Sequence, residues 1–223
     1  MNRCRRVPRP AVAAAGLALV LAAACARESE APGPFVMDQH EYERWEIALV
    51  EMRIEKNEAF AEPESSPLPA ALIPDFEGLN YYLPVPSLRF RVALVPEAAA
   101  DTVRLAGTKG GETPYVRRGH VVFRHDGRNH RLTVFGPVGE EGAAAGRLWL
   151  PFYDATNGNE TYPGGRYLDL EADAEGFVDV DFNYAYNPYC DYDPERWSCT
   201  VPPRENTVDF AVVAGEKRFG SDH

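Results

Sequence analysis

Cysteine, methionine and histidine are scarce: four, three and five copies in 223 residues, too few for a disulfide-stapled miniprotein or a metal-built domain. Basic residues are short as well. Against 34 acids stand 23 Lys and Arg, and four of these (Arg3, Arg5, Arg6, Arg9) precede Cys25, which leaves 19 and a charge of −15 for Cys25 to His223. A surface that acidic is repelled by phosphate backbones, so nucleic-acid binding is not expected. Long apolar runs are limited to Ala11–Ala24, fourteen residues, which rise about 21 Å as a helix and fall short of a hydrocarbon core of roughly 30 Å. No G-x-S-x-G, H-E-x-x-H or Walker loop occurs, so the familiar serine hydrolase, zincin and nucleotide-binding chemistries are not indicated. No segment repeats.

The amino-terminal residues are the first positive signal. A basic stretch, a short apolar run and small residues make a secretory signal rather than a membrane span. Leu21-Ala22-Ala23-Ala24-Cys25 resembles a bacterial lipobox, with Leu21 one place early. Residues 1–24 are therefore expected to be a lipoprotein signal peptide and Cys25 the lipid attachment point. Residues 25–36 would be a tether, and 37–219 a single domain facing the periplasm. Acyl chains would hold the protein to the membrane, and Ala26 in the second mature position suits the outer membrane. With Cys4 removed and Cys25 acylated, Cys190 and Cys199 are left to pair. Their eight intervening residues do not match a C-x-x-C redox or zinc arrangement.

Along the mature chain, Asp38 and Glu41 form a capping box and Pro63 a stop, so a helix is expected over 38–62. Tyr42, Trp45, Leu49, Met52 and Phe60 make its apolar stripe. Beyond a proline-rich loop the period becomes two. Candidate strands are 88–95, 102–107, 114–117, 120–125, 128–135, 147–153, 177–183 and 207–214. Many short strands divided by Gly, Pro and Asp predict a mainly β fold, an antiparallel sandwich or open barrel with one amphipathic helix. Asp126-Gly127 is a two-residue hairpin turn that sets His125 opposite Arg128 and Phe123 opposite His130. His120 then points away from His125 and His130, and no three-histidine metal site forms. No metal or cofactor is expected.

Polar residues concentrate in the carboxy-terminal half. The blocks are F-x-D-x-T-x-G-x-x-T-Y (Phe152–Tyr162), G-G-R-Y-L (Gly164–Leu168), D-F-N-x-A-Y-N-P-x-C (Asp181–Cys190) and A-G-E-K (Ala214–Lys217). Together with Trp45, Ser66-Pro67-Leu68 and Phe76-x-Gly78-Leu79, they resemble the DUF1684 family of bacterial proteins over about residues 40–219. Asp191 and Thr200-Val201 depart from that pattern, both in the cysteine loop. The resemblance implies a fold but no reaction.

The residues themselves suggest a polar site. Pro163-Gly164 fits the centre of a type II turn that folds Arg166 toward Asp154 and Glu160. Asp154, Thr156, Glu160, Arg166, Asp181, Asn183 and Asn187 are the candidate ligand-binding residues, with Tyr162 and Tyr186 as walls. Arg166 suits a carboxylate, and the amides suit orientation of a small polar molecule. The same residue types also serve long loops as scaffolding. Two alternatives stand beside a lipid-anchored binding module. One is a hydrolase using Asp154 and Asp181 as acid and base. The other is an envelope interaction protein working through its helix and aromatic surface. The 154–160 loop lacks the ligand order of a calcium site.

Overall fold

A computed structural model describes residues 30–139 and 146–220. The expected signal peptide and Cys25 lie outside the described residues. Helix α1 (Gln39–Ala61) is capped by Asp38, whose side chain accepts from the Glu41 N–H while the Glu41 carboxylate accepts from the Asp38 N–H. Of the expected stripe, Trp45, Leu49 and Phe60 are buried, while Tyr42 and Met52 are only half-buried.

The fold is mostly β, with antiparallel sheets and, among the described residues, no closed barrel. Strands β1 (Arg89–Ala93) and β7 (Phe177–Asp181) form a two-stranded sheet. The second sheet runs β2 (Val95–Ala106), β3 (Glu112–His125), β4 (Arg128–Pro137), β5 (Leu148–Phe152), β6 (Arg166–Leu170) in sequence order. Between the two sheets lies the main core. Phe90, Val92, Val178 and Val180 meet Val121, Phe123, Leu132, Val134, Leu150 and Leu168 there, the alternation expected of strands with one buried face. A smaller cluster of Phe60, Leu68 and Tyr192 fastens the helix end to the proline-rich loop and the cysteine loop.

The β3–β4 hairpin has the expected register, His125 opposite Arg128 and Phe123 opposite His130. Asp126 and Gly127 have φ of 47° and 76°, the left-handed pair that this turn requires. His125 and His130 pack on Phe210 with ring centroids 4.3 and 4.9 Å away. His120 lies apart, 3.8 Å from Glu97.

Three strand expectations are corrected. Segments 114–117 and 120–125 belong to one strand, β3, whose register slips between Arg117 and Gly119. Residues 166–170 form β6, a strand that short-range patterning misses because its inward Arg166 reads as polar. Residues 207–214 supply Val208, Val212 and Ala214 to the core without forming a strand. Val208 and Phe210 bond to the backbones of Tyr153 and Ala155, and beyond them side chains take over: Arg166 takes the carbonyls of Val212 and Ala214, and Asp154 takes the Val212 N–H. The chain before the helix is also docked: Pro32 and Phe35 bond to the backbones of Arg124 and Arg89.

Candidate functional site

Six of the seven polar residues singled out in the sequence fall into three groups, and Glu160 stands apart. Asp154, Thr156 and Arg166 form the first. Arg166 is fully buried, and its guanidinium donates to Asp154 Oδ2 at 2.9 Å and to the carbonyls of Val212, Ala214 and Glu216 at 2.7, 2.5 and 3.2 Å. The other Asp154 oxygen accepts from the Thr156 amide and hydroxyl at 2.8 and 2.6 Å and from the Val212 N–H at 3.1 Å. The turn that delivers Arg166 differs from the expected type: Gly165, not Gly164, is left-handed, with φ of 85°. A Cβ on Gly165 would stand 2.6 Å from Pro202 Cγ and 2.8 Å from the Phe152 carbonyl oxygen. Glu160 sits outside this network and accepts from the Tyr82 hydroxyl at 2.9 Å.

Asp181 and Asn183 form the second group. Asp181 accepts from the Trp45 indole at 2.6 Å and from the Asn183 amide groups, while Asn183 pairs with both backbone groups of Val85. This couples α1 and the proline-rich loop to the end of β7. Loss of solvation raises the Asp181 carboxyl above its ordinary value, against the bonds from Asn183 and Trp45. Asn187 makes the third group with Glu216. The buried Glu216 carboxylate accepts from the Asn187 N–H at 2.8 Å, from Tyr192 at 2.6 Å and from Lys56. Asp154 and Asp181 thus belong to separate networks, and each is bonded to protein groups.

An open surface lies on the opposite side of the five-stranded sheet. Along β5, Leu148, Leu150 and Phe152 enter the core, so Trp149 and Pro151 face outward. Along β6, Leu168 and Leu170 enter the core, and Tyr167 and Asp169 face outward. Trp149 stands directly across from Asp169. The cysteine loop folds over this face. Tyr186 exchanges two backbone hydrogen bonds with Tyr167, the Tyr167 hydroxyl donates to the Thr200 carbonyl, and Cys190 and Cys199 are disulfide-bonded.

Between sheet and loop is a cleft of about 510 Å³, lined by Tyr115, Trp149, Tyr167, Tyr186, Tyr189 and Trp197 together with Arg147, Asp169 and Asn187. The Asp169 carboxylate accepts from the Tyr186 hydroxyl at 3.2 Å to each oxygen. Its affinity for a proton is raised by loss of solvation, which outweighs the opposing Tyr186 hydrogen bond and the Arg147 charge. A neighbouring cavity of about 450 Å³ shares Asp169, Tyr186 and Tyr189 and reaches Lys56 and Glu216. An apolar wall carrying a few fixed polar groups is the usual make-up of a small-molecule site. No three metal-ligating side chains converge among the described residues.

Of the residues named from sequence, Asn187 and Tyr186 reach this cleft. Trp149, Tyr167, Asp169 and Arg147 were not singled out. The period-two pattern of W-L-P-F and Y-L-D-L carries the signal that they share one outward face. Only the covering loop turns that face into a concavity.

Among the described residues the architecture is thus an antiparallel β domain with one α-helix and an aromatic cleft on its outer sheet face. Residues 74–217 match the family model DUF1684, a protein family of unknown function, and the chain belongs to that family. Among solved structures it is similar to the solution structure of an uncharacterized protein from Haloarcula marismortui. That protein is 32% identical, the alignment covers 83% of this chain and 100% of that one, and the TM-score is 0.64. No curated protein matches.

Proposed function

We propose that this domain is a lipid-anchored envelope module that binds a small polar ligand, and that the ligand occupies the aromatic cleft rather than the Asp154–Arg166–Asn183 region. The observation that carries the reading is the cleft itself, about 510 Å³ with six aromatic rings, Asp169 and Arg147 on its walls. Arg166, by contrast, is fully buried and bonded to protein oxygens, so a ligand could use it only after those bonds were broken. A hydrolase built on Asp154 and Asp181 finds no support in their separate networks.

Two of the three tryptophans, Trp149 and Trp197, line the cleft, while Trp45 is buried against Asp181. Intrinsic fluorescence therefore reports on the site. A panel of small polar compounds is screened by thermal shift, and hits are titrated by fluorescence on the purified protein. A saturable change that disappears in Trp149→Ala, with the β-sheet spectrum retained, supports the reading. Hits whose binding survives Trp149→Ala but fails in Asp154→Asn would move the ligand back to the buried network. Anchoring rests on the sequence around Cys25. It predicts palmitate labelling and membrane-fraction recovery that Cys25→Ala abolishes, and unchanged fractionation of that variant would refute it.

A further inference from the structure

Building on the reading of the cleft as a ligand site, we propose that its ligand is a zwitterionic ammonium compound. Its cationic end sits among the rings against Asp169, and its anionic end faces Arg147.

Tyr115 stacks on Trp149 at 22° with centroids 4.8 Å apart, and the next rings along the wall meet at steep angles. Trp149 and Tyr167 have centroids 4.8 Å apart at 73°, and Tyr167 and Tyr186 have centroids 5.7 Å apart at 89°. Rings set nearly at right angles do not make the flat platform on which a planar ligand stacks. They line a corner with electron-rich faces, the arrangement that attracts an organic cation. The chain uses its own rings this way nearby, with Lys56 Nζ 5.1 Å from the Tyr186 centroid and Arg196 over Trp197 at 4.5 Å.

Charge then selects the ligand. Asp169 shares an outward face with Trp149 and keeps solvent access at the cleft. Its hydrogen bonds come from a neutral tyrosine hydroxyl, and among the described residues no cation lies within ion-pair distance of it. Arg147 precedes Trp149 by two residues and lines the same cleft, which makes it a diagonal cross-strand neighbour of Asp169, at a spacing of about 7 Å. Its guanidinium has no hydrogen bond or ion pair among the described residues. A simple cation would meet Arg147, and a simple anion would meet Asp169. A neutral molecule would leave Asp169 eased only at a distance by Arg147 and Lys56, and Arg147 without a paired anion, in a partly desolvated site. A ligand with both charges a few ångströms apart answers both.

Glycine betaine is the probe, titrated by tryptophan fluorescence against two relatives. One is its carbon analogue, in which a quaternary carbon replaces the nitrogen and the carboxylate is kept. The other is choline, which keeps the ammonium and lacks the carboxylate. Betaine is expected to bind saturably and about tenfold more tightly than either relative. Asp169→Asn should weaken betaine and choline by about tenfold, and Arg147→Ala should weaken betaine while sparing choline. Both side chains are solvent-accessible, and circular dichroism checks that the variants fold. Equal binding of the carbon analogue, or betaine affinity unchanged in Asp169→Asn, would overturn the charge assignment and leave the cleft as a binding site. No response to betaine, while another compound of the panel binds in a Trp149-dependent way, would do the same. If no compound binds at the cleft, both readings fail.

Discussion

Replacing Arg166 tests whether the buried polar block is scaffold. Its guanidinium fork joins Asp154 to three carbonyls of the 212–216 segment, and both charged side chains have no solvent exposure. Arg166→Ala leaves the Asp154 carboxylate buried with only the Thr156 groups and the Val212 N–H as donors. It also strips the Val212 and Ala214 carbonyls of their cation. Breaking one side of a buried ion pair costs about 3–5 kcal/mol, and each orphaned carbonyl adds about 1–3 kcal/mol unless water enters. We expect a loss of about 4–6 kcal/mol, which for a domain of this size lowers the melting temperature by roughly 10–20 °C. Most of that penalty is the stranded carboxylate, so Arg166→Ala/Asp154→Ala should be less destabilised than the sum of the two single variants by at least about 1.5 kcal/mol. Arg166→Lys keeps the charge but not the fork, and should fall between wild type and Arg166→Ala. Urea unfolding followed by far-ultraviolet circular dichroism measures the wild type and all four variants. Additive losses, or Arg166→Ala within about 1 kcal/mol of wild type, would refute the scaffold assignment and return Arg166 to the list of ligand-facing residues.

Two further outcomes are expected. Burial pushes the Asp191 carboxyl up to about 7, with Glu216 adding to the rise and the Phe219 N–H and Arg218 opposing it. The folded state therefore binds this proton more tightly than the unfolded chain, and stability should fall as pH rises from about 4 to about 7, by no more than about 4 kcal/mol. Urea midpoints at about pH 5 and about pH 8 should differ less in Asp191→Asn than in wild type, and an equal difference in both would remove Asp191 as the cause. The Cys190–Cys199 disulfide holds the loop that supplies Tyr189 and Trp197 to the cleft. Cys190→Ala/Cys199→Ala should cost about 2–3 kcal/mol of stability and weaken every cleft ligand, read by thermal melting and fluorescence titration. Unaltered affinity would mean that the bonds between Thr108 and the backbone of position 199 suffice to hold the wall.

Local signals settled much of this protein before any tertiary contact was considered. The Asp38/Glu41 box and Pro63 bound the helix because they act on groups within one turn of themselves. The Asp126-Gly127 turn set the β3–β4 register for the same reason. From that register followed the separation of His120 from His125 and His130, and the period of two over the candidate strand 177–183 puts Val178, Val180 and Phe182 on the one face that enters the core. Pairing of Cys190 with Cys199 is expected once Cys4 is assigned to the signal and Cys25 to the lipid.

Long-range geometry decided what those signals could not carry. Whether Arg166, Asp154 and Asn183 face a ligand or one another depends on where the 212–216 segment and α1 come to rest, far away in the chain. Composition is the same in either case, because a buried scaffold and a ligand site both need hydrogen-bonding side chains. The cleft is the converse. Trp149, Tyr167 and Asp169 look like ordinary outward residues of two strands, and they become a site only because the cysteine loop closes over them.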